Sequence, residues 1–435
     1  MPDLHTDKQN NAQKAPEQFN LTWLNPGQGF GADTLAAELA DIGVGDYARQ
    51  HMSAKGDFYV LRAEGLRTPA ANILKQEFLA KGAEAAVHPQ VITGGIERSA
   101  AVMLATAAQY ERICQSLRRQ QFGLPQLAAE IEAALANIRL EEWQLPLAGG
   151  RQMRLSCGTQ IMGILNVTPD SFSDGGSYAS CEAAVERALA MQAEGAYIID
   201  VGGESTRPGH EQISCEEEIR RVAPVIEALR RRSDVLISVD TYKAAVARAA
   251  LAAGADIIND IWGLQYAGDP EHEMAALAAA AGCPVIAMHN QEGTVYGGRS
   301  RDNIRYDMMS DVALFFRRAK GIAAEAGMRR EQLIFDIGFG FGKDALQNME
   351  VLAKAAALRV LGRPLLVAAS RKSTLGLLSG RPVGERQFAT AATTAAASLA
   401  GAALVRVHDV SQAADVLSIC RPMYRIRRFG TGERH

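Results

Sequence analysis

Residues 163–176 read GILNVTPDSFSDGG, and the reading of the whole chain turns on them. The run 160–167 is largely apolar and uncharged, short enough for a buried strand, with Asn166 near its end. Thr168-Pro169-Asp170-Ser171 is a turn cluster: proline fixes φ, and Asp or Ser can bond its own backbone. Phe172, Ser173 and Asp174 follow, closed by Gly175 and Gly176, which are free to take positive φ. A buried strand opening into a polar, glycine-ended loop has the form of a functional loop on a βα unit, although an ordinary βα connection shares that pattern.

The same rhythm continues downstream. Apolar, often β-branched runs occur at 160–167, 197–203, 235–241, 257–260, 284–289, 333–339, 365–370 and 404–409. Alanine-rich helical stretches separate them, at 182–195, 215–232, 243–254, 271–282, 312–327, 346–361 and 385–401, with a last at 412–424. Alternating strands and helices imply a parallel sheet covered by helices. Eight such units predict an α/β fold of the closed (β/α)8 TIM-barrel type. A doubly wound open sheet is the competitor.

Upstream, the chain divides into a polar tail at 1–18, expected to be disordered, and an N-terminal α/β domain with its connection at 19–150. The barrel is expected to occupy 151–435. Within the N-terminal domain, strands are expected at 19–25, 57–63 and 101–105, and helices at 31–42, 68–81, 107–121 and 125–137. Thr68 is placed as an N-cap ahead of Pro69, and Gly82 as a helix stop. Residues 141–156 read as a connection with a short strand or hairpin. No cluster of convergent catalytic groups stands out in this half.

The 435 residues exceed one typical domain, with 48% hydrophobic and 22% charged residues, as in a soluble enzyme. A net charge of −3 and a pI near 6.3 give no support to nucleic acid as the main partner. No apolar run reaches membrane-spanning length, and the N-terminus has no apolar segment of the signal-peptide kind. The six cysteines have no close metal-site spacing and read as reduced thiols of a cytoplasmic protein.

A barrel carries its chemistry at the C-terminal ends of its strands. Here those ends hold Asn166; Glu204-Ser205-Thr206-Arg207-Pro208; Asp240-Thr241; Asn259-Asp260; His289-Asn290; Asp336; Ser370-Arg371-Lys372-Ser373; and Arg406, His408 and Asp409. Buried polar groups cost free energy unless paired, so polar groups at every end of an otherwise apolar barrel imply a functional rim. Mutually satisfied caps remain an alternative account of Thr241, Asp260 and Asp409. Asp240, Asn259 and Asp336 suit a flat heterocycle rich in N–H donors, because carboxylates accept pairs of such bonds. Lys372 and Arg406 add positive charge. Arg406, His408 and Asn166 meet where the last strand closes on the first and suit an anion such as a phosphate. Asn166 together with substrate phosphates could complete a Mg2+ site. The run GFGFGK at 338–343 is neither a P-loop, since Asp344 stands where Ser or Thr is needed, nor a dinucleotide fingerprint; it reads as a flexible, close-approach loop. His289 alone is too weak a signal to be taken as a metal ligand.

The strings GGESTRPG (202–209), SVDTYK (238–243), IND (258–260), GFGFGK (338–343), SRKS (370–373) and RVHDV (406–410) follow the opening stretch in order, each on its expected strand. Together they resemble the dihydropteroate synthases of the pterin-binding TIM-barrel family, over 160 to about 428. The resemblance implies transfer of a dihydropterin methylene from its diphosphate to p-aminobenzoate, with loss of pyrophosphate. By the same resemblance, Asp240, Asn259, Asp336 and Lys372 hold the pterin, and Asn166, Arg406 and His408 hold the diphosphate with Mg2+. Phe172, Thr206, Pro208 and Ser373 line the aminobenzoate site, while Asp174 and Arg207 order the closed site. Asp174, Arg207, Asp336 and Lys372 are the expected catalytic set. A homodimer, small-molecule substrates, and neither a nucleic-acid nor a membrane partner are implied too. Residues 72–89 resemble a segment of longer family members with an added N-terminal domain.

Three positions depart from the family pattern: Ile337 in place of proline, Ala368 in place of glycine, and His289-Asn290-Gln291 in place of the usual string. None removes a charged group. A pterin-dependent methyltransferase, which would not need Arg406 and His408 for a diphosphate, and a non-catalytic pterin-binding protein are the alternative readings.

Overall fold

The computed structural model describes residues 31–167, 177–204, 212–290 and 308–429. The N-terminal part begins with two helices, α1 (Ala32–Asp41) and α2 (Asp46–Ser53). Then come β1 (Phe58–Arg67), α3 (Thr68–Ala80), β2 (Glu84–Val87), β3 (Arg98–Thr106), α4 (Ala107–Leu117) and α5 (Leu124–Ile138). The three strands form an antiparallel sheet in the order β1-β3-β2. The alternate residues Ala101, Met103 and Ala105 of β3 face a core shared with Leu74 and Phe78 of α3, Tyr110 and Ile113 of α4, and Leu124 of α5. Thr68 is not the N-cap of α3: Arg67 takes that position, and the Thr68 hydroxyl donates to the Ile96 carbonyl instead. The strand β2 and the helix α2 had no clear pattern in the sequence, and the strand expected at 19–25 lies outside the described residues.

Next comes a hairpin, β4 (Glu142–Pro146) with β5 (Gln152–Ser156). The boundary expected at 150/151 runs between its two paired strands. Trp143, Leu145, Leu147, Met153 and Leu155 pack against Met162, Ile198, Ile257, Ile286, Ile334, Leu366 and Leu404, which point into the barrel near its N-terminal end. The hairpin is therefore the floor of the barrel. The Trp143 indole N–H donates to the Gly362 carbonyl at 3.2 Å, and Arg359 donates to the Leu140 carbonyl and to Glu141, fastening both sides of that floor.

The barrel follows as β6 (Gln160–Asn166), α6 (Ser177–Ala193), β7 (Ile198–Gly202), α7 (Cys215–Arg232), β8 (Leu236–Asp240), α8 (Ala244–Ala253), β9 (Ile257–Asp260) and α9 (Glu273–Ala281). It continues with β10 (Val285–Met288), α10 (Met308–Glu325), β11 (Leu333–Asp336), α11 (Ala345–Ala353), β12 (Leu365–Val367), α12 (Ser373–Ser379), α13 (Gln387–Leu399), β13 (Leu404–Val407) and α14 (Val410–Phe429). All eight strands are parallel and close on themselves, β13 pairing with β6. The short helix α12, directly after the SRKS string, was not foreseen.

Strand periodicity sorts the side chains. Ile161, Leu165, Ile199, Val201, Ile237, Val239, Phe335 and Val405 point outward into one core with the helices. The intervening residues point inward. Along the inward face, one apolar layer lies on the hairpin, and the residue two positions later begins the rim. The pairs are Ile198 then Asp200, Ile257 then Asn259, Ile334 then Asp336, and Leu404 then Arg406. A cavity of about 1210 Å3 opens elsewhere, between β1 and the outer side of the barrel at α10, α14 and the segment 354–360. It contains none of the strand-end residues.

Candidate active site

The inward layer above the apolar floor is almost wholly polar. Asp200, Asp240, Asn259 and Asp336 are all buried there. Arg406 reaches across from β13: its Nε donates to Asp200 Oδ2 at 2.6 Å and its Nη2 to Asp240 Oδ2 at 2.6 Å. Asn259 Nδ2 donates to Asp200 Oδ2 at 3.1 Å. Asp336 Oδ1 accepts the Gly338 N–H at 2.8 Å. The remaining oxygens, Asp200 Oδ1 and Asp240 Oδ1, are buried with no hydrogen-bond partner among the described residues. Ala368 takes the β12 position of this layer, so its methyl faces the same lumen.

The electrostatics follow from that packing. Burial pushes the Asp240 carboxyl up to about 7, against the pull of Arg406 and with help from the nearby Asp200 carboxylate. Burial also raises Asp336, opposed by the Gly338 N–H, Lys372 and Arg406. Burial works against the charge on Arg406, but the Asp200 and Asp240 carboxylates outweigh it and hold the guanidinium firmly protonated.

Beyond this layer stands a ring of positioned groups. His408 Nδ1 lies 3.0 Å from Ser370 Oγ, which also accepts the His408 backbone N–H at 3.2 Å. The Lys372 ammonium lies 4.0 Å from the centre of the Phe341 ring, a cation–π contact that holds it over the loop after β11. Arg371, at φ 58°, takes the strained left-handed conformation, fixed by two bonds from its Nη2 to the Asp409 carboxylate at 2.8 and 2.9 Å. Asp409 is thus committed to holding that turn, and Asp260 caps its own by accepting the Trp262 and Leu264 N–H groups at 2.9 and 2.6 Å. Ser373 is exposed at the start of α12. Asn166 stands at the end of β6, half-buried.

The GFGFGK loop makes the close approach expected of it, but it is fastened rather than flexible. Gly338 has φ 64°, and a Cβ there would lie 1.8 Å from the His289 carbonyl oxygen, so no other residue fits. Lys343 Nζ donates to the carbonyls of Gly338 at 2.7 Å, His289 at 3.2 Å and Phe341 at 3.2 Å. This lysine therefore binds the loop together. Asp344, the residue that rules out a P-loop, is the N-cap of α11 and accepts the Gln347 N–H at 2.7 Å. The His289 ring is buried edge-on against Phe315 at 4.9 Å, and burial pushes its basicity well down.

Asn166, Asp240, Asn259, Asp336, Lys372, Ser373, Arg406 and His408 thus all lie on strand ends or on the turns directly after them, at one end of the barrel. Phe172, Asp174, Thr206, Arg207 and Pro208 lie outside the described residues. Sequence reasoning missed Asp200. Its signal was present: Ile198-Ile199-Asp200 has the form of Ile257-Ile258-Asn259 and Ile334-Phe335-Asp336, with the polar residue two places after an inward apolar one. It also missed Glu204, Glu218 and Lys243 as a buried ionic cluster.

Residues 162–408, more than half of the chain, match the model of the family described as pterin binding enzyme. The chain belongs to the pterin-binding enzyme family. It is 47% identical over 261 residues to a dihydropteroate synthase of Streptococcus pyogenes, covering 60% of this chain and 93% of that one. It is 44% identical over 350 residues to a probable bifunctional folylpolyglutamate synthase/dihydropteroate synthase of Haloferax volcanii. That match takes in 79% of this chain, more than the barrel alone contains, so the likeness extends into the N-terminal part. The chain spans only 40% of the length of that bifunctional relative. Among solved structures, the Xanthomonas albilineans dihydropteroate synthase with 4-aminobenzoic acid superposes with a TM-score of 0.57 at 40% identity, covering 64% of this chain and 98% of the other.

Proposed function

We propose that the barrel is a dihydropteroate synthase of folate biosynthesis, a transferase joining 7,8-dihydropterin-6-ylmethyl diphosphate to p-aminobenzoate. The C–O bond to the diphosphate breaks, the arylamine nitrogen bonds the methylene carbon and gives up a proton, and 7,8-dihydropteroate and pyrophosphate leave. The observation that carries this reading is the pair of unsatisfied buried oxygens, Asp200 Oδ1 and Asp240 Oδ1, beside Asn259 and Asp336. Buried acceptors without donors call for a ligand that brings N–H groups, and a pterin edge is rich in them.

In this reading Asp200, Asp240, Asn259, Asp336 and Lys372 hold the pterin. The ring delocalises the positive charge left as diphosphate departs, and the Asp336 and Asp240 carboxylates stabilise it electrostatically. Arg406, His408 and Asn166 receive the diphosphate through charge-assisted and amide contacts. Phe172, Thr206, Pro208 and Ser373 line the aminobenzoate position, and Asp174 and Arg207 order the site around it. An arylamine is weakly basic, so positioning contributes more than a strong base.

Mg2+ fits the donor set. Asn166 offers one hard amide oxygen on a strand end beside the proposed phosphate site, and Mg2+ is usually held by one or two protein groups plus phosphates and water. When bound, it would neutralise charge on the departing diphosphate.

The working assembly is a homodimer. Leu377 and Phe388, on α12 and α13, are 74% and 82% exposed, and Ile419 on the adjoining α14 is 65% exposed, an apolar surface suited to a second copy. The compartment is the cytoplasm: all six cysteines are free thiols, and no helix among the described residues is long and apolar enough to cross a membrane.

The test is pyrophosphate release by purified protein, with and without p-aminobenzoate, followed by identification of dihydropteroate. Release that needs both substrates supports the reading. Pterin binding without release would leave a binding protein, and methyl transfer would place the chain elsewhere in its family.

A further inference from the structure

Asn348 lies in the first turn of α11, fully buried, and both ends of its amide are used. Its Oδ1 accepts the Gly340 N–H at 2.7 Å. Its Nδ2 shares its hydrogens among the carbonyls of Lys343 at 3.0 Å and Asp344 at 2.9 Å and the Thr374 hydroxyl at 3.1 Å. The loop after β11, the cap of α11 and the first turn of α12 therefore meet on one side chain. A carboxamide can do this because it carries an acceptor on one side and donors on the other. An apolar replacement would leave the Gly340 N–H without that acceptor, in a place closed to water.

Lys372 stands between the same segments. It directly precedes Ser373, the first residue of α12, so the placement of that helix sets its backbone. A Cβ at Gly340 would lie 3.2 Å from Lys372 Cδ, so the loop backbone lies against the lysine stem. The ammonium in turn sits over the Phe341 ring. Stem and head both rest on the loop that Asn348 grips at Gly340, while Lys343 ties the same loop through the Gly338 and Phe341 carbonyls. Burial raises the Asp336 and Asp240 carboxyls, and the Lys372 charge works against it at each, so the ammonium is near enough to the carboxylate layer for its placement to count. None of these contacts of Asn348 goes to that layer, so it acts on a ligand there through Lys372.

We propose that Asn348 is a positioning residue for Lys372: it joins the loop after β11 to the start of α12 and so sets where the ammonium stands relative to Asp240 and Asp336. This rests on the dihydropteroate synthase reading in one respect, that Lys372 serves the pterin. The test compares the full chain with Asn348→Ala, Lys372→Met and the double variant. With lysines labelled by 13C at Cε, the signal missing from Lys372→Met is that of Lys372. The Phe341 ring current shifts it upfield, and Asn348→Ala should move it toward the position of an exposed lysine. By calorimetry, Asn348→Ala should bind 6-hydroxymethyl-7,8-dihydropterin about fivefold or more weakly. The same substitution made in Lys372→Met should change binding by less than about twofold, because an effect that passes through Lys372 disappears with it. Thr374→Val removes one partner of the amide, keeps the shape, and serves if Asn348→Ala does not fold; its loss should be smaller and equally non-additive. An unmoved Lys372 signal, unchanged affinity, or equal losses in the two backgrounds would overturn the proposal. Parental affinity in Lys372→Met would remove Lys372 from the pterin, and the proposal with it. If the parent protein binds no pterin, the reaction reading fails by itself, and the Lys372 signal then decides the placement alone.

Discussion

Arg406 Nε lies 2.6 Å from Asp200 Oδ2, a bond that crosses the barrel lumen from the last strand to the second. With its second bond, to Asp240, this one guanidinium bridges two buried carboxylates. Its role therefore extends beyond the phosphate suggested by its place next to His408. Arg406→Ala should leave both carboxylates buried without the cation that bridges them, at a cost of about 3–5 kcal/mol in stability. Thermal melting and pyrophosphate titration on the same sample check this. A variant that loses pyrophosphate affinity but melts like the parent would show that the carboxylates do not depend on Arg406.

The raised Asp240 carboxyl makes binding depend on pH. The folded, empty protein keeps a proton that the unfolded chain has released between the ordinary carboxyl value of 3.8 and about 7. Its contribution to stability is present at the low end of that window and is lost as pH rises through it. Ligand binding runs the other way, since a pterin N–H needs the ionised acceptor. Affinity for a plain hydroxymethyl pterin, which has no phosphate titrating in this range, should weaken as pH falls below about 7, by up to about tenfold per pH unit. Calorimetry from pH 5 to 8 tests it, with Asp240→Asn expected to flatten the profile.

Asp200 should matter to the pterin as much as Asp336 does. Each bond from a ligand N–H to a charged carboxylate contributes about 1.5–3 kcal/mol, so Asp200→Asn and Asp336→Asn should each weaken hydroxymethyl pterin binding by about 10- to 150-fold. Circular dichroism would monitor folding in parallel. Undiminished affinity in a folded Asp200→Asn protein would remove Asp200 from the site.

The hairpin floor sets where a catalytic fragment can begin. A fragment starting at Arg151 loses β4 and exposes the lower apolar layer of the barrel. One starting at Arg139 keeps Trp143 and Leu145 in place. The longer fragment should fold and release pyrophosphate, and the shorter should melt lower or aggregate. Trp143→Ala in the full chain should cost about 3–5 kcal/mol, read by denaturant unfolding. Equal stability of the two fragments would show that β5 alone can close the floor.

Local pattern was enough for much of this protein. Eight apolar runs separated by alanine-rich helices predict a parallel closed sheet, because such runs can bury both faces only between helices and a filled lumen. The end of each strand is legible as well, since a charge such as Asp336 at the close of an apolar run stands out in the sequence. What pattern could not supply is partnership between distant residues. Asp200 sits inside an apolar run, and only the period-two alternation of a closed barrel turns it inward with Asn259 and Asp336. Lys243, Glu204 and Glu218 lie on three separate segments and become one cluster only when β7 and β8 stand side by side. Arg406 bridges Asp200 and Asp240 because closure brings the last strand round to the first. The strands 142–146 and 152–156 resemble any short connection until the open end of the barrel gives their apolar side chains a surface to cover. The sequence by itself determined which segments are strands and helices and which ends carry charge. The tertiary structure decided which charges meet, since that depends on the geometry of closure and on burial, which no local window contains.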